Sequence, residues 1–278
     1  MHPVVLITGS ASGVGRQLTG RFLQEGYQVL ATDIDYQGLK QAAKQDGWRT
    51  DNLWLRKLDI AKQAQWQKLW QDLLDKWQRI DVLCNIAAYL KPGRIHQTAW
   101  QEVDRHVQIN IAGLIYGSKL AAETMTEQGR GQIINIASLA GIAPIPGIAL
   151  YSSSKFAVRG FSLALAQELK PLGVAVSVIC PDAIETPMLH LQEDYEEAAL
   201  TFSGGKILTV QDIESAVFDK ALRQKRIEIM LPATRGWLAK LGGAVPSLAF
   251  VLSDLLNGKG KAQQARRKGT THSRSVRT

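Results

Sequence analysis

Cysteine is scarce in this chain: two residues, Cys84 and Cys180, among 278. Both lie in apolar runs, and neither has a partner at a framework or metal-ligand spacing. They read as reduced core thiols, which excludes a disulfide scaffold. Histidine is nearly as sparse, with five residues. His96 and His190 are isolated histidines and no His/Cys/carboxylate cluster has ligand spacing, so no metal site is expected. Long apolar runs are missing as well. The longest uncharged stretch of the C-terminal region, Leu241 to Ser253, has 13 residues, against about 20 for a spanning helix. That excludes a transmembrane helix but not surface attachment. The N-terminus has no basic region followed by an apolar stretch and a cleavage site. Val4 to Ile7 already reads as a strand there, so a cytoplasmic protein is expected. Acidic residues are absent from the end of the chain: residues 255–278 hold seven Lys/Arg and no Asp or Glu. The net charge of +8 therefore belongs to the tail, because the remainder holds 26 basic against 25 acidic residues. A nucleic-acid-binding body would spread Lys/Arg over a folded face, and that class is excluded.

What is present is ordinary globular material, 45% hydrophobic and 21% charged, within reach of one large α/β domain. No internal repeat occurs. Short β-branched apolar runs at about 4–7, 28–32, 52–57, 81–84, 131–136, 174–180 and 226–231 predict strands. Amphipathic stretches at about 14–25, 37–45, 61–77, 98–127, 152–170 and 211–223 predict helices between them. Such alternation implies a doubly wound parallel sheet of about seven strands, buried on both faces. In the helix over 61–77, Trp66, Trp70, Leu73, Leu74 and Trp77 share one face. That face reads as packing on the sheet rather than as an aromatic binding surface. The organisation expected is a dinucleotide-binding domain over 1–231, an apolar helical extension over 232–257, and a basic, disordered tail over 258–278.

Two local patterns carry chemistry. Gly9, Gly13 and Gly15 follow the first strand and open the first helix. Glycine there permits a tight turn and close approach of backbone N–H groups to a phosphate, and the helix N-terminus adds partial positive charge. Ser12 and Val14 fall in the same loop. Asp33 ends the second strand, where a carboxylate accepts hydrogen bonds from adenosine ribose hydroxyls and repels a 2′-phosphate. No Lys or Arg follows it closely, so NAD(H) is favoured over NADP(H). The second pattern is Tyr151 and Lys155, four apart on one helix face. An ammonium beside a phenol is expected to lower its pKa from about 10 towards neutrality, which suits a general acid/base. Ser138 ends the fifth strand, on the edge of the sheet where ligands sit.

Together, Thr8-Gly9-x-x-x-Gly13-x-Gly15, Ser138 and Tyr151-x-x-x-Lys155 resemble the compact branch of the short-chain dehydrogenase/reductase family, over residues 3 to about 190. The resemblance implies a Rossmann-like fold. It also implies hydride transfer between a nicotinamide cofactor and a secondary alcohol or carbonyl. Tyr151 is then the acid/base, and Ser138 orients the reacting oxygen. Lys155 holds the nicotinamide ribose, and Asn110 holds a relay water. It further implies adenine contacts from Asp59 and Ile60, cofactor contacts from Asn85 and Ala87, and a nicotinamide seat at Pro181, Ile184 and Thr186. Family members assemble through their fourth and fifth helices, so a homodimer or homotetramer is expected. Two departures stand out. Asn85-Ile86-Ala87-Ala88 replaces the family's Asn-Asn-Ala-Gly, and Asp182 stands where glycine is usual.

Residues 187–211 read as a substrate lid, with Met188, Leu189, Leu191, Tyr195, Leu200 and Phe202 suggesting a lipophilic alcohol or ketone; an amphipathic helix packed on the domain is the alternative. The apolar stretch with its basic tail is open to two readings: docking on an anionic membrane surface, or a helix covering the body or a partner subunit, followed by a solvated tail. A dinucleotide-binding regulatory or scaffold protein without turnover is the alternative to an enzyme.

Overall fold

A computed structural model of the chain describes residues 2–48, 51–244 and 256–268. Seven parallel strands form one sheet: β1 (Val4–Thr8), β2 (Gln28–Asp33), β3 (Leu53–Lys57), β4 (Val82–Asn85), β5 (Gly131–Ile136), β6 (Val174–Pro181) and β7 (Glu228–Leu231). Their order is β3-β2-β1-β4-β5-β6-β7. The progression of strands reverses between β1 and β4, and the crevice beyond their carboxyl ends is where such sheets bind ligands. All five residues of β1 and all four of β4 are buried, as expected of central strands covered on both faces.

One face is covered by α1 (Gly13–Gln24) and α2 (Tyr36–Gln45). The other carries α3 (Gln63–Trp77), α4 (Trp100–His106), α5 (Leu114–Glu127) and α6 (Ala149–Leu169). After β6 come α7 (Pro187–Glu193) and α8 (Val210–Ser215), the latter returning to the α1 side. Phe22 and Leu18 pack with Ile7, Val29 and Val217 on the first face. Trp66, Leu69, Trp70 and Leu73 pack with Leu6, Leu83 and Ile133 on the second. The tryptophan face of α3 is thus core, with Trp77 half-buried at its end against Trp54.

The helix predicted over 98–127 is continuous from Trp100 to Glu127, but a π-helical turn over Val107–Gly113 widens it between α4 and α5. There Gly113 lies so close to Ile60 that a Cβ would come within 2.7 Å of the Ile60 carbonyl oxygen. The extra residue per turn turns Asn110 inward.

The disordered tail expected from residue 258 is the main correction. After β7, α9 (Ala233–Ala244) packs back on the sheet edge. Lys240 on α9 and Arg159 on α6 share the carboxylate of Glu228 at 2.5 and 2.7 Å. Residues 245–255, including most of the apolar stretch, lie outside the described residues, as do 269–278. Between them, residues 256–268 form a helix, α10. Charge composition suggested solvation, yet the tail finds acidic partners on the body. Among the described residues no helix is long and apolar enough to cross a membrane.

Trp66 is fully buried and its indole N–H donates to the Ile60 carbonyl at 3.0 Å. Trp66→Ala leaves a cavity at the α3–α5 contact and should lower unfolding free energy by about 3–5 kcal/mol. A urea titration checks this, and a loss under about 1 kcal/mol would contradict the core assignment.

Candidate active site

The site begins with a contact that only glycine allows. A Cβ on Gly15 would lie 2.0 Å from the Gly9 carbonyl oxygen, and one on Gly9 would lie 3.0 Å from the Ala87 Cα. Gly9 (φ 74°) and Gly13 (φ 52°) also adopt left-handed backbone. This brings the N-terminus of α1 against the ends of β1 and β4. Ser12 is the N-cap residue but makes no side-chain cap, and the first turn holds no acid. The amides of that turn therefore face the cleft with their partial charge uncancelled.

A cleft of about 400 Å³ runs across the carboxyl ends of the strands. Along it lie Gly9, Ser12, Gly13, Val14, Gly15, Asp33, Asp59, Ile60, Ala87, Ser138, Tyr151, Lys155, Pro181, Ile184 and Thr186. Of the residues given catalytic or cofactor roles from sequence, only Asn85 and Asn110 are not in its lining; of the expected lid residues Met188 and Leu189 line it, while Leu191, Tyr195, Leu200 and Phe202 do not. Asn85 turns into the core, where its amide donates to Ser118 Oγ at 3.0 Å and Asn135 Oδ1 at 2.9 Å, tying β4 to α5 and β5. Asn110 spends both amide protons, on the Tyr89 carbonyl (2.8 Å) and Ser154 Oγ (3.0 Å), and accepts from the Tyr89 N–H at 2.7 Å. Its side chain is thus a clamp between the cleft wall and α6.

At one end of the cleft, the Asp33 carboxylate accepts from the N–H groups of Ala11 (2.9 Å) and Asp35 (3.0 Å), which fixes it at the tip of β2. Arg16 of α1 is drawn off to Asp46 at the C-terminal end of α2. At the other end, Ser138 Oγ accepts from the Ala140 N–H at 3.1 Å and donates to the Pro181 carbonyl at 3.3 Å. Lys155, 2% exposed, donates to the Ile136 carbonyl at 2.8 Å and sits 5.4 Å from the Tyr151 ring centre.

The electrostatics differ from the expectation. Burial pushes the Tyr151 phenol up to about 12, and its hydrogen bond to Ser138 only partly offsets this. Burial also pushes Lys155 down to about 8. The predicted lowering of Tyr151 towards neutrality is not seen, because desolvation outweighs the Ser138 hydrogen bond. Lys155 is the sole basic residue in the lining, beside Asp33, Asp59 and Asp182.

The two departures from the family motif find local compensation. The N–H groups of Ile86 and Ala87 both donate to Thr8 Oγ1, at 3.0 and 3.1 Å. Asp182 is held by Arg235 of α9 at 3.0 Å, although burial raises its pKa. Sequence reasoning passed over Tyr89, Leu90, Ile145 and Ile148, which line the end of the cleft beyond Tyr151. Tyr89 lies four residues beyond the end of β4, and the strand-end rule could have found it. It also missed Gln192 and Thr201, whose side chains bond to each other at 3.0 Å in the lining.

The model of the short chain dehydrogenase family matches residues 3–197. The chain is 30% identical over 244 residues to the NADP-dependent 3-hydroxy acid dehydrogenase YdfG of Escherichia coli K12, spanning 84% of this chain and 96% of that protein. The 3-ketoacyl-(acyl-carrier-protein) reductase of Brucella melitensis complexed with NADH superposes with a TM-score of 0.72 at 27% identity, over 82% of this chain and 96% of that one. ElxO with NADP bound gives 0.73 at 26%, over 83% and 98%. The chain belongs to the short-chain dehydrogenase/reductase family. Its chemistry is nicotinamide-dependent oxidoreduction of an alcohol/carbonyl pair.

Asn110→Ala should strand the Tyr89 backbone groups and Ser154. Each buried group left unpaired costs about 1–3 kcal/mol, so thermal unfolding should shift down by several degrees. An unchanged melting temperature would remove Asn110 from its clamp role.

Proposed function

We propose that the protein interconverts an uncharged, lipophilic secondary alcohol and its ketone with NAD(H), using Tyr151 as general acid/base. The observation that carries this reading is one continuous cleft, with the glycine cradle at its middle and Ser138, Tyr151 and Lys155 beyond it. The residues present fit a dinucleotide. Gly9, Ser12, Gly13, Val14 and Gly15 offer backbone N–H groups to a pyrophosphate. Asp33 meets the adenosine ribose, Asp59 and Ile60 flank the adenine, and Ala87, Pro181, Ile184 and Thr186 border the nicotinamide end. When bound, the nicotinamide supplies or takes up the hydride.

The chain handles the proton. With a pKa near 12, Tyr151 is a phenol at neutral pH, ready to donate to a carbonyl oxygen held by Ser138. In the oxidative direction it must become phenolate. A fall from about 12 to neutrality needs roughly 7 kcal/mol of differential interaction. The Lys155 ammonium, 5.4 Å from the Tyr151 ring centre, favours that phenolate.

Cofactor choice rests on Asp33. A 2′-phosphate would meet a carboxylate there with no basic group in the lining beside it, although YdfG and ElxO are NADP proteins by name. Substrate class rests on the far end, where Leu90, Ile145, Ile148, Met188 and Leu189 surround the single Gln192–Thr201 polar pair. Among the described residues lining that end no cation faces the carboxylate that a 3-hydroxy acid would bring. Assembly as a homodimer or homotetramer through α4 and α5 is supported by the exposure of Trp100 (82%) and Val107 (43%). For the basic run, pairing within the chain is favoured over an anionic membrane, because Arg267 and Lys268 reach acids of the body.

Tyr151→Phe should keep NADH binding, read by fluorescence titration, and lose about 10²–10⁴-fold in turnover over a panel of alcohols and ketones. Retained turnover would sink the mechanism, and a panel without any turnover would favour a cofactor-sensing role. In the native protein kcat/KM should favour NADH over NADPH. Asp33→Ala should narrow that ratio about tenfold, equivalent to ~1.4 kcal/mol; a native preference for NADPH would overturn the assignment.

A further inference from the structure

The basic helix α10 lies on the segment that closes the substrate end of the cleft. That segment is built from short pieces, the seven residues of α7 and a 3-10 stretch over Glu196–Ser203. Helical pieces this short are marginal without tertiary support. Their internal tie is Gln192, which reaches the Met188 carbonyl at 3.1 Å and accepts from Thr201 at 3.0 Å while lining the cleft. The support comes from residues more than sixty positions later. Gln264 is 5% exposed, and its amide nitrogen donates to the main-chain carbonyls of Gln192 (2.9 Å) and Tyr195 (2.7 Å). Arg267 reaches both oxygens of Glu185 at 2.8 and 3.1 Å and Glu193 at 2.7 Å. Lys268 stands 3.6 Å from Asp194. At Gly260 the backbones close up: a Cβ there would lie 2.1 Å from the Ala199 carbonyl oxygen.

We infer that α10 is a strap that sets the position of the substrate lid, with Gln264 and Arg267 as positioning residues acting through Gln192 and Glu193. The contacts are arranged for this. Glu185 precedes the lid and Glu193 ends α7, so Arg267 closes the lid's hinge side onto its first helix. Gln264 fixes the main chain of the residue whose side chain faces substrate. None of the α10 residues lines the cleft itself, so the strap acts on substrate fit without touching the cofactor. The inference rests on the proposed dehydrogenase function for its kinetic consequence, but the mechanical contact stands apart from it.

The test uses the full chain with Gln264→Ala, Arg267→Gln and Arg267→Lys, and with Glu185→Gln as the milder variant should an α10 substitution fail to fold. Hydrogen–deuterium exchange over residues 186–204 is measured first, because it needs no turnover. Exchange should rise at least severalfold in Gln264→Ala and Arg267→Gln, less in Glu185→Gln, with Arg267→Lys recovering part of the protection. For the best substrate of the panel, KM should rise about 5–10-fold with kcat changed less than twofold and NADH affinity unchanged. Salt should raise KM in the native protein and have little further effect in Arg267→Gln. Unchanged exchange over 186–204 overturns the strap. Raised exchange with an unchanged KM overturns its role in positioning substrate. Absence of turnover in the native protein refutes the dehydrogenase reading while the exchange result still decides the strap.

Discussion

The contact between Gly15 and the carbonyl of Gly9 is the constraint around which the molecule is arranged. It admits no side chain, and Gly9 is pressed on its other side by the Ala87 backbone. Three elements, β1, α1 and β4, therefore meet within van der Waals distance at the point where the sheet order reverses. The junction fixes where the first helix begins, and so where its unpaired amides point. Thr8, the last residue of β1, secures the same junction from below by accepting the N–H groups of Ile86 and Ala87. A hydroxyl on the neighbouring strand thus holds the loop by its main chain, independently of the side chain at Ile86.

From that junction the cleft divides into two electrostatic regimes. Around the helix end, charge comes from backbone dipoles and from carboxylates fixed by backbone amides, which need little burial. Around Tyr151 the groups are taken out of water, and their protonation follows from desolvation. A buried phenol and a buried ammonium are both driven towards neutrality. The pair is thus poised between forms, and its balance is set by whatever charge enters beside it. Asp182 and Arg235 are kept as a closed pair, so among the described residues lining the cleft the cation beside Tyr151 is Lys155.

Much of this was legible in the sequence because the relevant signals are local. Strand periods, the glycine spacing and the Tyr151–Lys155 interval each fit within a few turns of chain, and the seven strands fall within two residues of expectation. What local patterns do not reveal is direction. Asn85 and Asn110 sit in the expected segments, but one faces the core and the other grips Tyr89, because pleat and helical width decide which way a side chain points. The phenol's pKa was misjudged for a related reason: a spacing of four shows that two groups are neighbours, not how dry the neighbourhood is. The tail was misread through distance. Glu185, Glu193 and Asp194 were visible as an acidic stretch and Arg267 and Lys268 as a basic one. Nothing within a window of ordinary length joined segments more than seventy residues apart.

The order of the parts along the chain also has a meaning in time. A nascent chain emerges N-terminus first, and folding units form as they appear. The glycine junction needs only β1, α1, β4 and the turn through Ala87. The helix that contacts Glu185, Gln192 and Glu193 spans 256–268, later in the chain than every described strand. During synthesis the junction can therefore form long before the contacts over residues 185–199 do.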